Sequence, residues 1–189
     1  MIKAIIFDCF GVLTTDGWLK FREDYLRTDS EADVIAVELN RQSDAGLISF
    51  RDFRDQLAQL AKVAPAVVHE VMSSRTRNDR LFDYIASDLK ANYKIGLLSN
   101  AAGNYINDLF TPEQASLFDA TLFSYELGIV KPNRAMYDTI ATRLGVLPEE
   151  CIFIDDRDGF VQGAIDAGMQ AFTYTTFSVC RLKLQEMLN

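Results

Sequence analysis

The chain is poor in histidine. His69 is the single one, set at helical spacing within Pro65-Ala-Val-Val-His-Glu-Val-Met72, a setting that reads as structural. Histidine-based triads and His-rich metal sites are therefore not expected. The three cysteines, Cys9, Cys151 and Cys180, are odd in number with no pair at metal spacing, so free thiols in a reducing compartment follow and cysteine-held zinc does not. No apolar stretch approaches the roughly 18 residues of a membrane span, and Met1-Ile2-Lys3-Ala4 runs straight into an apolar strand without a signal-peptide pattern. A cytoplasmic address and no membrane partner are expected. Clusters of Lys and Arg are missing as well, and with a net charge of −8 this argues against a nucleic-acid partner. Acidity does not exclude phosphate as a ligand, because a divalent cation and one well-placed lysine offset local carboxylates.

What the chain does have is apolar material. With 189 residues, 49% of them hydrophobic, it can bury a substantial core as one domain, or one domain with a small insert. Short apolar runs at Lys3 to Phe7, Lys94 to Leu98, Thr121 to Phe123, Cys151 to Ile154 and Ala171 to Tyr174 are each bounded by turn or polar residues, as in buried strands of a parallel sheet. Helix-length segments alternate with them at Arg77 to Ala91, Asn104 to Phe110, Ala135 to Leu144, Phe160 to Ala167 and Ser178 to Leu188; Gly145 and Gly168 stand in C-terminal cap positions. The fold class is α/β, a doubly wound parallel sheet.

Residues 15–77 break the alternation. They hold no convincing strand and four amphipathic segments, Trp18 to Leu26, Ser30 to Arg41, Ser49 to Ala61 and Pro65 to Ser74, with N-cap-like starts at Ser30 and Ser49. This is an all-helical insertion, giving a catalytic core of residues 1–14 and 78–189 and a cap of residues 15–77. Inserted after the first strand, it stands over the carboxyl edge of the sheet, as a lid or as a completion of the core.

Four strand ends deliver polar groups to that edge, where open α/β sheets collect ligands. Asp8 follows the first strand, with Gly11 allowing a sharp turn beside it; it is either a nucleophile or a turn residue. Ser99-Asn100 ends the second strand and is read as opening a helix, either as an anion site or as a cap. Lys131 is held in an extended loop by Pro132. Asp155-Asp156 ends the strand that starts at Cys151, and adjacent carboxylates there favour a hard divalent ion, for which Mg²⁺ suits a site of few carboxylates, waters and phosphate oxygens.

With Asp8, Ser99, Lys131-Pro132 and Asp155-Asp156 at this spacing, the chain resembles the haloacid dehalogenase superfamily over nearly its whole length, in the phosphatase-like branch whose small helical cap follows the first motif. The resemblance implies a Mg²⁺-dependent phosphohydrolase acting on a small phosphorylated substrate through an aspartyl-phosphate. By that resemblance Asp8 is the nucleophile, Lys131 neutralises charge, and Ser99, Asn100 and Lys131 bind the phosphoryl group. Asp8, the main-chain carbonyl of Phe10 and Asp156 hold Mg²⁺, with Asp155 in support. A monomer or homodimer is expected.

The chain departs from the family pattern at Phe10, where many phosphatases carry an acid–base aspartate, and at Phe160, where many place a polar residue. Acid–base help of that kind is worth about 10²–10⁴ in rate, and a cap residue such as Asp16 is the alternative proton donor. A catalytically silent binder of a phosphorylated ligand or protein partner, and a 2-haloacid dehalogenase, are the competing readings. In the cap, Trp18, Phe21, Arg22, Arg41 and Asp44 could face the site.

Overall fold

The computed structural model describes residues 1–189. Strand β1 (Ala4–Phe7) is followed by helices α1 (Gly17–Tyr25), α2 (Ser30–Asp44), α3 (Phe50–Ala61) and α4 (Pro65–Ser73). Helix α5 (Asp79–Tyr84) runs into a π-helical turn, Ile85–Leu89, and leads to β2 (Lys94–Ser99). Two short helices, α6 (Ile106–Leu109) and α7 (Pro112–Ala115), precede β3 (Ala120–Phe123). Then follow α8 (Arg134–Leu144), β4 (Cys151–Asp155), α9 (Asp158–Asp166), β5 (Gln170–Thr173) and α10 (Phe177–Leu188).

The five strands form one parallel sheet in the order β3-β2-β1-β4-β5. Both faces are covered, and the strand sequences show why. Ile5, Phe7, Ile95, Leu97, Ile152 and Ile154 project to one side, against residues of α5 and α10 such as Leu81 and Leu184. The alternate residues Ala4, Ile6, Leu98, Cys151 and Phe153 meet Met136, Ile140 and Ala164 of α8 and α9 on the other. The period of two along each strand thus feeds two cores, as a doubly wound sheet requires. Chain order reverses on either side of β1, so the ends of β1 and β4 flank the switch point where such folds place their ligands.

Helices α1 to α4 carry their own apolar cluster, which includes Phe21, Phe53, Leu57 and Val68. The chain enters and leaves this bundle through two segments tied side by side. Thr15 N donates to Thr76 O at 3.0 Å, Thr76 N to Thr15 Oγ1 at 2.9 Å, and Asn78 N to Leu13 O at 2.9 Å. No helix is long and apolar enough to cross a membrane.

Several local expectations need correction. The N-cap of α2 is Asp29, whose carboxylate accepts from Ala32 N, and Ser30 is already helical; Ser49 does cap α3. The helix expected at Asn104 to Phe110 is reduced to α6, four residues long, because Tyr105 at its start is non-helical and Thr111, ahead of Pro112, is held extended. The long helix expected to Ala91 gives way at Ile85 to the π turn.

Leu57 is fully buried in the bundle cluster. Its replacement, Leu57→Ala, is expected to cost about 2–5 kcal/mol through lost transfer energy and a residual cavity. A denaturant midpoint that does not move would show that packing of the bundle adds nothing to global stability.

Candidate active site

At the carboxyl edge the end of β1 places Asp8, 5% exposed, and the loop before α8 places Lys131, 2% exposed. Lys131 Nζ donates to Asp8 Oδ1 and to Asp155 Oδ2, both at 2.6 Å, and to the Leu98 carbonyl at 3.2 Å. One ammonium therefore joins the ends of three adjacent strands, β2, β1 and β4. The loop is held in register by Asn100, whose Oδ1 accepts from Lys131 N at 2.8 Å and whose Nδ2 donates to Lys131 O at 3.3 Å. The Asn100 side chain, expected at the phosphoryl group, is thus used on the Lys131 peptide.

Ser99 ends β2 and is fully buried. No helix opens directly behind it, since α6 begins only at Ile106, so the expected helix N-terminus is replaced by the loop of residues 100–105. The Ser99 hydroxyl, outside the cavity lining, donates to the Asn100 carbonyl at 3.5 Å, and the Ala101 amide donates to Ser124 Oγ at 2.9 Å; an anion there would draw on a rotated Ser99 hydroxyl and the remaining loop amides.

Asp8, Asp155 and Asp156 present carboxylate oxygens within 4.8 Å of one another. Burial pushes the Asp8 carboxyl up to about 8, against the pull of Lys131 and with Asp155 adding to the rise. Asp156 is pushed up to about 6, chiefly by burial and then by Asp155. Lys131 is desolvated too, but the attraction of Asp155 and Asp8 outweighs that and raises it. Burial is thus the first cause for the two acids, with the neighbouring carboxylate adding to it, while for Lys131 the carboxylates prevail over burial.

The residues fit a divalent cation. Asp156 Oδ1 is buried and has no hydrogen-bond partner, a costly state for a carboxylate oxygen that a metal–ligand bond relieves. Asp155 is less free, since Oδ2 serves Lys131 and Oδ1 accepts from Arg157 N at 2.9 Å. Gly11, at φ +93°, makes room for the cluster, because a Cβ there would run into the Asp156 carboxylate.

Above the cluster lies a cavity of about 470 Å³ with a mixed lining. The sheet edge contributes Asp8, Phe10, Lys131 and Phe160 among others, and the helical bundle contributes Trp18, Asp44, Phe50, Phe53 and His69. His69, expected to be structural, is therefore a wall residue, exposed on α4. Of the other residues expected to face the site, Trp18 and Asp44 line the cavity. Phe21 is buried in the bundle, Arg22 is paired with Asp33 at 2.7 Å, and Arg41 is paired with Glu38 at 2.7 Å.

Two charged pairings of the wall are not legible in the sequence, although Asp16 itself is expected there as a proton donor. Arg75 lies over the Phe10 ring, 4.6 Å from its centroid, with its Nε buried and unpartnered. Asp16 caps α1, accepting from Trp18 N at 2.8 Å, and its other oxygen takes Arg157 Nη2 at 2.8 Å. Asp16 ahead of Gly17 and Trp18 is legible as a helix cap, but no sequence signal pairs residue 10 with 75 or residue 16 with 157.

A buried carboxylate, a buried lysine and paired acids meet at the switch point of a parallel sheet, and the fold is one that known proteins share. The chain belongs to the haloacid dehalogenase-like hydrolases, whose family pattern matches residues 2–168. It is 26% identical to a phosphatase of Mycobacterium tuberculosis, over 90% of this chain and 86% of the relative. It is 25% identical to a D-ribitol-5-phosphate phosphatase of Bacteroides thetaiotaomicron, over the full length of both. In fold it is similar to a family enzyme from Bacteroides thetaiotaomicron solved in complex with magnesium and inorganic phosphate, with a TM-score of 0.73, 22% identity, and 95% of this chain and 99% of that one covered.

Gly11 tests the geometry of the acid cluster. Gly11→Ala puts a methyl group where the Asp156 carboxylate lies and a side chain on a left-handed backbone, so divalent-cation affinity should fall by about tenfold or more in calorimetric titration. Unchanged affinity in a folded variant would remove Asp156 from the metal site.

Proposed function

We propose that the protein is a Mg²⁺-dependent phosphatase of a small phosphorylated metabolite, working through an aspartyl-phosphate on Asp8. One observation carries this reading: the Asp8 carboxylate ends β1 at the floor of the cavity, fixed by Lys131 and crowded by two more acids, one with a bare buried oxygen. A carboxylate is a weak nucleophile toward an anionic phosphate, and only a cation-rich, preorganised pocket brings the two together. Lys131 holds Asp8 Oδ1, which leaves Oδ2 as the attacking oxygen. The Ser99 hydroxyl and neighbouring loop amides bind the transferring oxygens. Asp8, the Phe10 carbonyl and Asp156 would hold Mg²⁺, with Asp155 behind them fixing Lys131 and the Arg157 amide. The ion, when bound, supplies positive charge to the transferring phosphoryl group.

The cavity volume suits a phosphate ester with a short carbon chain, and the full-length relative named for ribitol 5-phosphate makes polyol and sugar phosphates the first substrates to try. A dehalogenase has no use for a bare acid cluster, which without a cation repels an anionic substrate.

A phosphate-release screen over polyol, sugar and triose phosphates, nucleotides and aryl esters, with Mg²⁺ present and absent, tests the reading. Asp8→Asn, near-isosteric but unable to form the acyl-phosphate, should reduce release by at least about 10³ with the protein still folded by thermal melting. Retention of more than a trace of activity would show that Asp8 is not the nucleophile. Halide release from a 2-haloacid, or phosphate binding without turnover, would replace the phosphatase reading altogether.

A further inference from the structure

Resting on the phosphatase reading, a second chemical requirement has no evident owner. An alkoxide leaving group needs a proton as its bond to phosphorus breaks, and the water that then releases the enzyme needs one removed. Phe10, beside the nucleophile, can do neither. The titratable groups of the cavity wall narrow the choice. Asp16 has both oxygens engaged, by the Trp18 amide and by Arg157. Asp155 is likewise used on both sides, and Lys131 is held as an ammonium between two carboxylates. The Tyr105 phenol is pushed up by burial, away from the useful range. Asp108 and His69 are exposed.

Asp44 is different. It is the last residue of α2, half-buried and lining the cavity, and it has a single side-chain hydrogen bond, Asn40 Nδ2 to Oδ2 at 2.7 Å. Its other oxygen has no donor from the protein. Its main chain is tied to the sheet edge, since Ser124 Oγ donates to the Asp44 carbonyl and also accepts from Ala101 N in the loop behind Ser99. The bundle is therefore pinned at Asp44 to the loop that follows Ser99.

Most of the charges around it come from outside the bundle. Arg157, Asp16 and Lys131 act on its carboxyl, and it acts in turn on Tyr105. Helix α3, packed on α2, presents Phe50 and Phe53 to the cavity, and Glu126 of the turn packed on α2 is occupied by the Phe123 amide and Arg143. Burial dominates, and pushes the Asp44 carboxyl up to about 7 despite the pull of Arg157. Water reaches part of the residue through the cavity, but the walls around the carboxyl set its proton affinity.

We infer that Asp44 is the general acid and base of the reaction, supplied by the helical bundle in place of the residue missing at position 10. As Asp8 Oδ2 bonds to phosphorus and the ester P–O bond breaks, the Asp44 carboxylic acid gives its proton to the departing oxygen, which leaves as the alcohol. Water then attacks phosphorus as the Asp44 carboxylate takes its proton. The P–O bond to Asp8 breaks, inorganic phosphate leaves, and Asp44 is again protonated. A group that titrates near neutrality can serve both halves.

The test is leaving-group dependence. Asp44→Asn keeps shape and the Asn40 contact by amide rotation but carries no transferable proton. With Mg²⁺ present, kcat for ribitol 5-phosphate should fall by about 10² or more, while p-nitrophenyl phosphate, whose leaving group needs little help, should lose less than about tenfold. KM should change little for either. The double variant Asp44→Asn with Phe10→Asp should regain alkyl turnover, and His69→Gln should show no leaving-group-selective loss.

A readout without turnover comes from stability. A carboxyl raised in the folded state contributes stability that is full below its unfolded value and lost as pH rises through about 7, so Asp44→Asn should gain on wild type from about pH 4 to about pH 7. Equal losses on both esters, no loss on either, or selective loss in His69→Gln would each overturn the assignment. Wild type that cleaves the aryl ester alone would overturn it too, leaving the phosphatase reading intact; wild type that cleaves neither would remove both.

Discussion

The Lys131 ammonium, sealed between Asp8 and Asp155, is the interaction on which the site depends. Burying a lysine is unfavourable unless its donors are met, and here three acceptors from three strand ends meet them. Removing either carboxylate leaves one of the buried ammonium's donors without an acceptor, so the arrangement specifies its own geometry. Its supports are spread through the chain. Asn100 fixes the Lys131 peptide, and Gly163 lets α9 approach Pro132, where a Cβ would sit 2.6 Å from the ring. The rings of Phe153 and Phe160 flank the ammonium at 5.2 and 5.0 Å, closing it from water.

Charge balance extends the same constraint to the ligands. Three carboxylates and one ammonium leave a surplus of negative charge at the floor when all are ionised. A phosphate monoester would be repelled by that floor. One divalent ion cancels the surplus, so binding of cation and of phosphate is cooperative on electrostatic grounds. Phe160 is no defect in this scheme: its ring caps the ammonium, and its carbonyl accepts from Tyr137 Oη at 2.7 Å.

The strands are legible in the sequence because parallel strands buried on both faces read as continuous apolar runs ended by turn residues, and the polar ends Asp8, Ser99 and Asp155 follow from that. Lys131 lies instead in the loop between β3 and α8, and its place beside Asp8 depends on the return of that loop to Asn100. What stays hidden depends on contacts between elements. The helix expected after Ser99 does not form, because residues 100–105 never enter the helical path and α6 begins only at Ile106. Asn100 reads as a ligand residue because its role on the Lys131 peptide requires knowing where the loop returns. Arg75 over Phe10 and Asp16 with Arg157 each join a segment beside the bundle to one distant in the chain, and no local pattern encodes such pairs.

The aromatic at position 10 is intelligible in that light. A carboxylate there would stand close to Asp8 and add to the surplus negative charge; phenylalanine instead offers its ring to Arg75 and keeps the loop apolar. On the Asp44 assignment, the acid–base group stands on the bundle side of the cavity instead. The end of α2 that walls the cavity is also what takes the Asp44 carboxyl partly out of water, so the packing that sets the group beside the site is the packing that raises its proton affinity.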